Sequence, residues 1–267
     1  MLLPAFFQVR YIITDKHVNV LAIYSNKGGV GKTAAAVNLA YLAAQSGLHT
    51  LVCDLDAQSS TTFYFRVKPK IKKKARGLTK SSRAIDHSIK GTHYENLDLL
   101  PADFSHRNMD IVFSKLKNPT GRLRRVLKPL RTEYDLIMLD CPPYINLLAE
   151  NIFNAADFIL VPLIPTVLSA RTHQQLLSFL TKKGYDTAKI HPFASMVDRR
   201  KNLHRTLTET FQTKFNGTLH TAIPYSSDVE KMGLHREPVA VFAANSTAAE
   251  AYRQLWAELY HELTEAT

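Results

Sequence analysis

Short apolar runs without polar alternation recur along the chain, at Val18–Ser25, His49–Leu55, Asn96–Pro101, Tyr134–Asp140, Phe158–Leu163 and Ile190–Val197. Uninterrupted runs of this length predict strands buried on both faces. Between them lie stretches with helical patterning, at Thr33–Gln45, Ser105–Leu116, Arg122–Leu130, Leu147–Ala155, Ser169–Lys182, Asn202–Phe215 and Thr247–Leu263; a further short strand is expected at His220–Ile223. The alternation predicts an α/β fold, a mostly parallel twisted sheet with helices on both faces. At 267 residues the chain suits one such domain. Residues 1–18 read as an N-terminal arm and residues 66–90, which break the alternation, as a basic surface insertion. No internal repeat is evident.

The link between the first strand and the first helix carries the most specific chemistry. It reads Asn26-Lys27-Gly28-Gly29-Val30-Gly31-Lys32-Thr33, followed by Ala34. A glycine-rich turn ending in Lys-Thr, set between a strand and a helix, wraps backbone N–H groups around phosphates. In such a loop the glycines allow close approach, Lys32 meets the β and γ phosphates, and the Thr33 hydroxyl ligates magnesium. The spacing departs from the common phosphate loop in having Asn at position 26 and a second lysine, Lys27, at the start. Ligands of open parallel sheets bind beyond the carboxyl ends of the strands. Two further ends carry carboxylates, Asp54 and Asp56 on the second run and Asp140 on the fourth.

Net charge changes the picture. The chain holds 34 Lys and Arg against 23 Asp and Glu, a formal charge of +11. Nine basic residues and no acid lie between Arg66 and Arg83, and seven more without an acid between Lys115 and Arg131. The remainder is net acidic, so the basicity belongs to two surface features suited to a polyanion. The two cysteines, Cys53 and Cys141, end apolar runs as buried thiols do, which argues against a disulfide framework or an iron–sulfur cluster. No apolar run approaches the ~20 residues that span a bilayer, and the start of the chain lacks a charged leader. Stable membrane insertion is not expected, and a reducing cytoplasm fits.

These motifs resemble those of the ParA group of phosphate-loop ATPases with a deviant loop, relatives of MinD and of the nitrogenase iron protein. The segment 27–33 matches that group's loop. Asp54-Leu55-Asp56-Ala57-Gln58 is similar to its second-strand motif, with Ala57 where proline is usual. Leu139-Asp140-Cys141-Pro142-Pro143 resembles its Walker B segment, and Val161–Pro165 the strand that follows, with Thr166 where many members have glutamate. Asp198–Leu203 and Ile223-Pro224 match later motifs, so the likeness runs over residues 19–260.

The resemblance implies an ATP- and Mg2+-dependent homodimer in which Lys27 reaches the phosphates held by the other subunit. It implies that Asp56 positions the attacking water and contributes with Asp140 to the magnesium shell. Adenine would lie near Met196, Asp198, Pro224 and Ser226, although Met196 equally fits strand-end packing. Such dimers bind DNA without sequence preference, and a ParB-like or other adaptor stimulates hydrolysis, so the expected setting is cytoplasmic and nucleoid-associated. Lys70, Lys72, Lys73, Lys74, Arg199 and Arg200 are the candidate DNA contacts. Tyr225 stands where the group often has a DNA-binding arginine, with Asp228 and Glu230 close behind, which moves the expected surface toward the insertion. The residues before the first strand are too few for a helix-turn-helix domain, so operator binding is not expected. A MinD-like membrane switch and an ATP-dependent metabolic enzyme are the alternatives; the acidic C-terminal segment disfavours the first and Lys27 the second.

Overall fold

The computed structural model describes residues 20–68, 85, 87–102 and 108–265. The arm at 1–18, most of the insertion and the lysines Lys70, Lys72, Lys73 and Lys74 lie outside the described residues. Strands β1 (Val20–Ile23), β2 (Thr50–Asp54), β3 (Lys90–Gly91), β4 (Leu97–Leu100), β5 (Leu136–Asp140), β6 (Phe158–Leu163) and β7 (Ile190–Ala194) form a single sheet. Its order is β3-β4-β2-β5-β1-β6-β7, with β3 antiparallel to β4 and every other pairing parallel. The expected α/β architecture is therefore present.

Helices cover both faces. They are α1 (Lys32–Gln45), α2 (Ser60–Tyr64), α3 (Met109–Ser114), α4 (Arg122–Leu127), α5 (Leu147–Ala155), α6 (Val167–Lys183), α7 (Asn202–Lys214), α8 (Ser227–His235), α9 (Val239–Phe242) and α10 (Thr247–Glu265). The pleat sends Val20, Ala22 and Tyr24 into a core with α3 to α7, and Leu21 and Ile23 into a second core with α1 and α10. Because both faces are buried, β1, β2, β5 and β6 are buried at every position, which is why their sequences lack alternation. Cys53 and Cys141 are free and buried, as their apolar settings suggested.

Several boundaries differ for local reasons. β7 stops at Ala194 because Met196 takes a left-handed φ of 54°. The strand expected at 220–223 is absent from the sheet: that segment runs beside β7, donating from Leu219 N to Pro192 O and from Ile223 N to Ala194 O, with an isolated Val197–Pro224 bridge. Helix α4 ends at Leu127 before Pro129, which opens a 3-10 turn. Helix α6 starts two residues earlier than expected, capped by the Thr166 side chain, which accepts from Ser169 N. Helices α2, α8 and α9 were not anticipated. No helix among the described residues is long and apolar enough to cross a membrane.

His173 on α6 is 2% exposed and packs edge-on against Phe215. Burial lowers its pKa from 6.5 to about 4. Between those values the unfolded chain takes up a proton that the native state refuses, so this group's contribution to stability falls as pH drops. The loss approaches about 3 kcal/mol once the folded ring titrates. The difference in melting temperature between the native protein and a His173→Gln variant should therefore shrink or reverse from pH 7.5 to pH 4.5; a constant difference would rule the account out.

Candidate functional site

The loop between β1 and α1 is held open by backbone conformation. Gly29 has φ 69° and Gly31 has φ 93°, both left-handed. Gly31 is the N-cap of α1 and supplies no side-chain cap, so the first N–H groups of α1 remain available to an anion at the positive end of the helix dipole. Lys32 is buried, and its Nζ donates to the carbonyl of Lys27 at 3.2 Å. Burial lowers the Lys32 pKa, against the opposing pull of Asp140, Cys141 and Asp56. Lys27 is half-buried at the rim, its backbone N–H donating to Ser25 Oγ at 3.3 Å.

Parallel pairing sets the carboxylates beside this loop. Asp140 is opposite Ile23 on one side and opposite Asp54 on the other, so the carboxyl ends of β1, β2 and β5 lie in one row. Both aspartates are nearly inaccessible, and burial raises both pKa values, with Asp140 adding to the rise at Asp54 and Asp56 to that at Asp140. Asp54 accepts from Thr62 N at 2.8 Å and Thr62 Oγ1 at 2.7 Å through Oδ2, and from Asp56 N at 3.2 Å through Oδ1. Asp140 Oδ2 accepts from Thr61 Oγ1 at 2.7 Å. Its Oδ1 is buried and closes no well-formed hydrogen bond, the Thr33 hydroxyl being its nearest donor; burial raises the Asp140 pKa, and Thr61, Thr33 and Lys32 oppose the rise. Asp56 sits half-buried after β2 and its Oδ1 accepts from Gln58 N at 2.9 Å. Among the described residues no group of three or more His, Cys, Asp or Glu converges into a metal cage.

The far wall is tied to the loop by a residue that sequence reasoning passed over. Ser195 is 3% exposed, and its Oγ donates to Val30 O at 2.9 Å. A Cβ on Gly31 would stand 2.9 Å from that Oγ and 3.9 Å from Met196 Cε, so Met196 packs against the loop. Val197 then bridges to Pro224, and Ser226 caps α8 by accepting from Asp228 N. Met196, Pro224 and Ser226 are thus joined to the phosphate loop by a continuous path. Asp198 is less free: Arg200 Nε and Nη2 donate to its two oxygens at 2.9 and 3.0 Å, holding its carboxyl below the usual range. Arg200 is exposed and makes this ion pair with Asp198, whereas Arg199 is exposed without one among the described residues. Tyr225 is exposed, and its hydroxyl donates to Glu230.

An open glycine loop on a helix N-terminus, a buried lysine and strand-end carboxylates on a parallel sheet define a P-loop nucleotide-binding protein. Residues 18–189 match the family model described as an AAA domain, well over half of the chain, and the chain belongs to that family, within the ParA/MinD group of P-loop ATPases. It is 29% identical over 246 residues to the sporulation initiation inhibitor protein Soj of Bacillus subtilis (strain 168), covering 90% of this chain and 97% of that protein. A Borrelia burgdorferi B31 protein assigned to plasmid partition and bound to AMPPNP superposes with a TM-score of 0.77 at 24% identity, over 92% of this chain and 100% of that one. A cobyrinic acid a,c-diamide synthase of Mycobacterium smegmatis, with an ATP analogue and magnesium, gives 0.76 at 22% identity over 94% and 97%. These structural likenesses concern the fold.

Two glycine substitutions separate folding from binding in the loop. A Cβ at Gly28 meets nothing within 4 Å, so Gly28→Ala should leave the ligand-free melting temperature nearly unchanged while weakening nucleotide binding. Gly31→Ala meets both a left-handed φ and the Ser195 hydroxyl, and should cost about 1–3 kcal/mol before any ligand is added. Calorimetry of both ligand-free variants tests this; equal melting temperatures would contradict it.

Proposed function

We propose that the protein is a partition-type ATPase that closes as a homodimer over ATP and Mg2+, binds duplex DNA nonspecifically in that state, and positions DNA or protein cargo. The observation that carries the reading is the pair of lysines in an uncapped loop. Lys32 is buried at the loop's centre, and Lys27 is half-buried at the rim, from which it would reach phosphates held by a neighbouring subunit.

The residues present fit the cofactors. Magnesium bound mainly by phosphates and water needs few protein oxygens, and the Thr33 hydroxyl with the unpartnered Asp140 Oδ1 supplies such a sparse set. Bound there, the ion would neutralise phosphate charge. The N–H groups of Gly28 to Ala34 would cradle the phosphates, and Asp56 would orient the attacking water. Met196, Asp198, Pro224 and Ser226 would border the base, once Asp198 is shared with Arg200. Lys27 from the partner would add positive charge only when two loaded subunits meet, which makes association depend on the nucleotide.

Exposed apolar side chains support a covered face at the same edge. Tyr144 and Ile145 follow β5, Val167 and Leu168 begin α6 after β6, and Tyr144, Val167 and Leu168 are 62%, 65% and 65% exposed. Basic residues for DNA remain in surplus: Lys115, Lys117, Arg124, Arg125 and Lys128 are exposed, whereas Arg131 is paired with Asp157 at 2.7 Å. Helix α10 buries Tyr252, Leu255, Trp256 and Leu259 in the core beside α1, which leaves that apolar face unavailable to a membrane surface. A ParB-like or other adaptor would stimulate hydrolysis and release, and the setting would be cytoplasmic, on the nucleoid.

Light scattering and a mobility shift on nonspecific duplex test the proposal together. ATP with Mg2+, but not ADP, should give a dimer and DNA binding that weakens steeply with salt. Lys27→Ala should lose the dimer and most hydrolysis yet retain nucleotide binding. DNA binding indifferent to nucleotide, or none at low salt, would remove the DNA role.

A further inference from the structure

Helix α2 follows the Asp54–Gln58 segment directly, and its first buried turn sends two neighbouring hydroxyls to two different carboxylates. Thr61 donates to Asp140 Oδ2 at 2.7 Å, with both side chains fully buried. Thr62 donates to Asp54 Oδ2 through both N–H and hydroxyl, and its own Oγ1 accepts from Ala102 N at 3.0 Å. The consequences differ. Asp54 has both oxygens engaged by its own segment, so it is a structural anchor for α2. Asp140 has one oxygen engaged and the other buried with no hydrogen bond.

A carboxylate turns easily about its last torsion, so an aspartate with one oxygen unheld does not by itself keep a fixed aim. The Thr61 hydroxyl removes that freedom: it occupies Oδ2 from the side of α2 and leaves Oδ1 for the side of the loop. We infer that Thr61 is a positioning residue for magnesium, acting through Asp140 and touching neither the ion nor the nucleotide. This rests on the proposed magnesium–nucleotide reading of the site. It also makes α2 part of the nucleotide site even though the helix contributes no ligand, since the Thr62 hydroxyl fastens it to Asp54 of β2 and to Ala102 beyond β4.

Partners behind a metal ligand commonly change metal affinity by about 10–100-fold when removed. The test is a Mg2+ titration of fluorescent ATP-analogue binding, without turnover, on the full chain. Thr61→Val, nearly isosteric but without the hydroxyl, should raise the Mg2+ half-saturation about tenfold, and Thr61→Ser should return it to within about twofold of the native value. Thr62→Val is the control on the same helix: it should lower the melting temperature while leaving the Mg2+ dependence close to native. Thr61→Ala carries the same expectation as Thr61→Val should the latter fail to fold. A folded hydroxyl-free variant with native Mg2+ dependence overturns the inference, and so does a Thr62→Val shift as large as that of Thr61→Val. Native protein whose nucleotide binding ignores Mg2+ overturns the inference and the cofactor reading together.

Discussion

The register of β5 between β1 and β2 is the constraint on which the rest of the site depends. Because Asp140 lies level with both Ile23 and Asp54, the chain must turn into the phosphate loop where two carboxylates already stand. A shift of one residue would turn every strand side chain to the opposite face and carry the carboxylates into a helix-packed core. Apolar burial on both faces therefore fixes the chemistry at the edge: the register that fills the two cores also aligns Lys32, Asp54 and Asp140. The electrostatic result is an ammonium whose charge burial disfavours, partly offset by Asp140 and Asp56, beside two carboxylates whose charge burial disfavours too.

The loop is as dependent on distant chain as on its own glycines. Ser195, 165 residues away, holds the Val30 carbonyl, and its oxygen occupies the space a side chain at Gly31 would need. Gly31 is thus required twice, by its backbone angle and by its neighbour. Because Val197 bridges to Pro224 and Tyr225 N donates to Val197 O, the phosphate loop, the end of β7 and the start of α8 are joined through neighbouring contacts.

Legibility from sequence followed the range of the interactions. β5 could be read from Leu136 to Asp140 because burial on both faces writes itself as an unbroken apolar run. Lys27 to Thr33 could be read because backbone geometry demands those residue types in that order. Helix α2 could not: Ser-Thr-Thr-Phe-Tyr is a poor helix former, and its turn is held by bonds to Asp54 and Asp140, the latter 79 positions away. The segment 219–224 has strand-like composition but borders β7 through isolated bonds. The Asp198–Arg200 pair depends on a loop conformation that charge counting does not contain.

The two margins of the sheet are unsuited to pairing with another chain. On one side β3 contributes only two residues, Lys90 and Gly91, and a two-residue charged margin offers little ladder for a further strand. On the other, the stretch from Leu219 to Tyr225 takes up backbone groups of Pro192, Ala194 and Val197. Among the described residues neither margin therefore offers a long open ladder for a continuous intermolecular sheet, the geometry that would make a union of two copies permanent. Contact between copies would then fall to side chains and loops, which can separate again, as the proposed cycle between single and paired states requires.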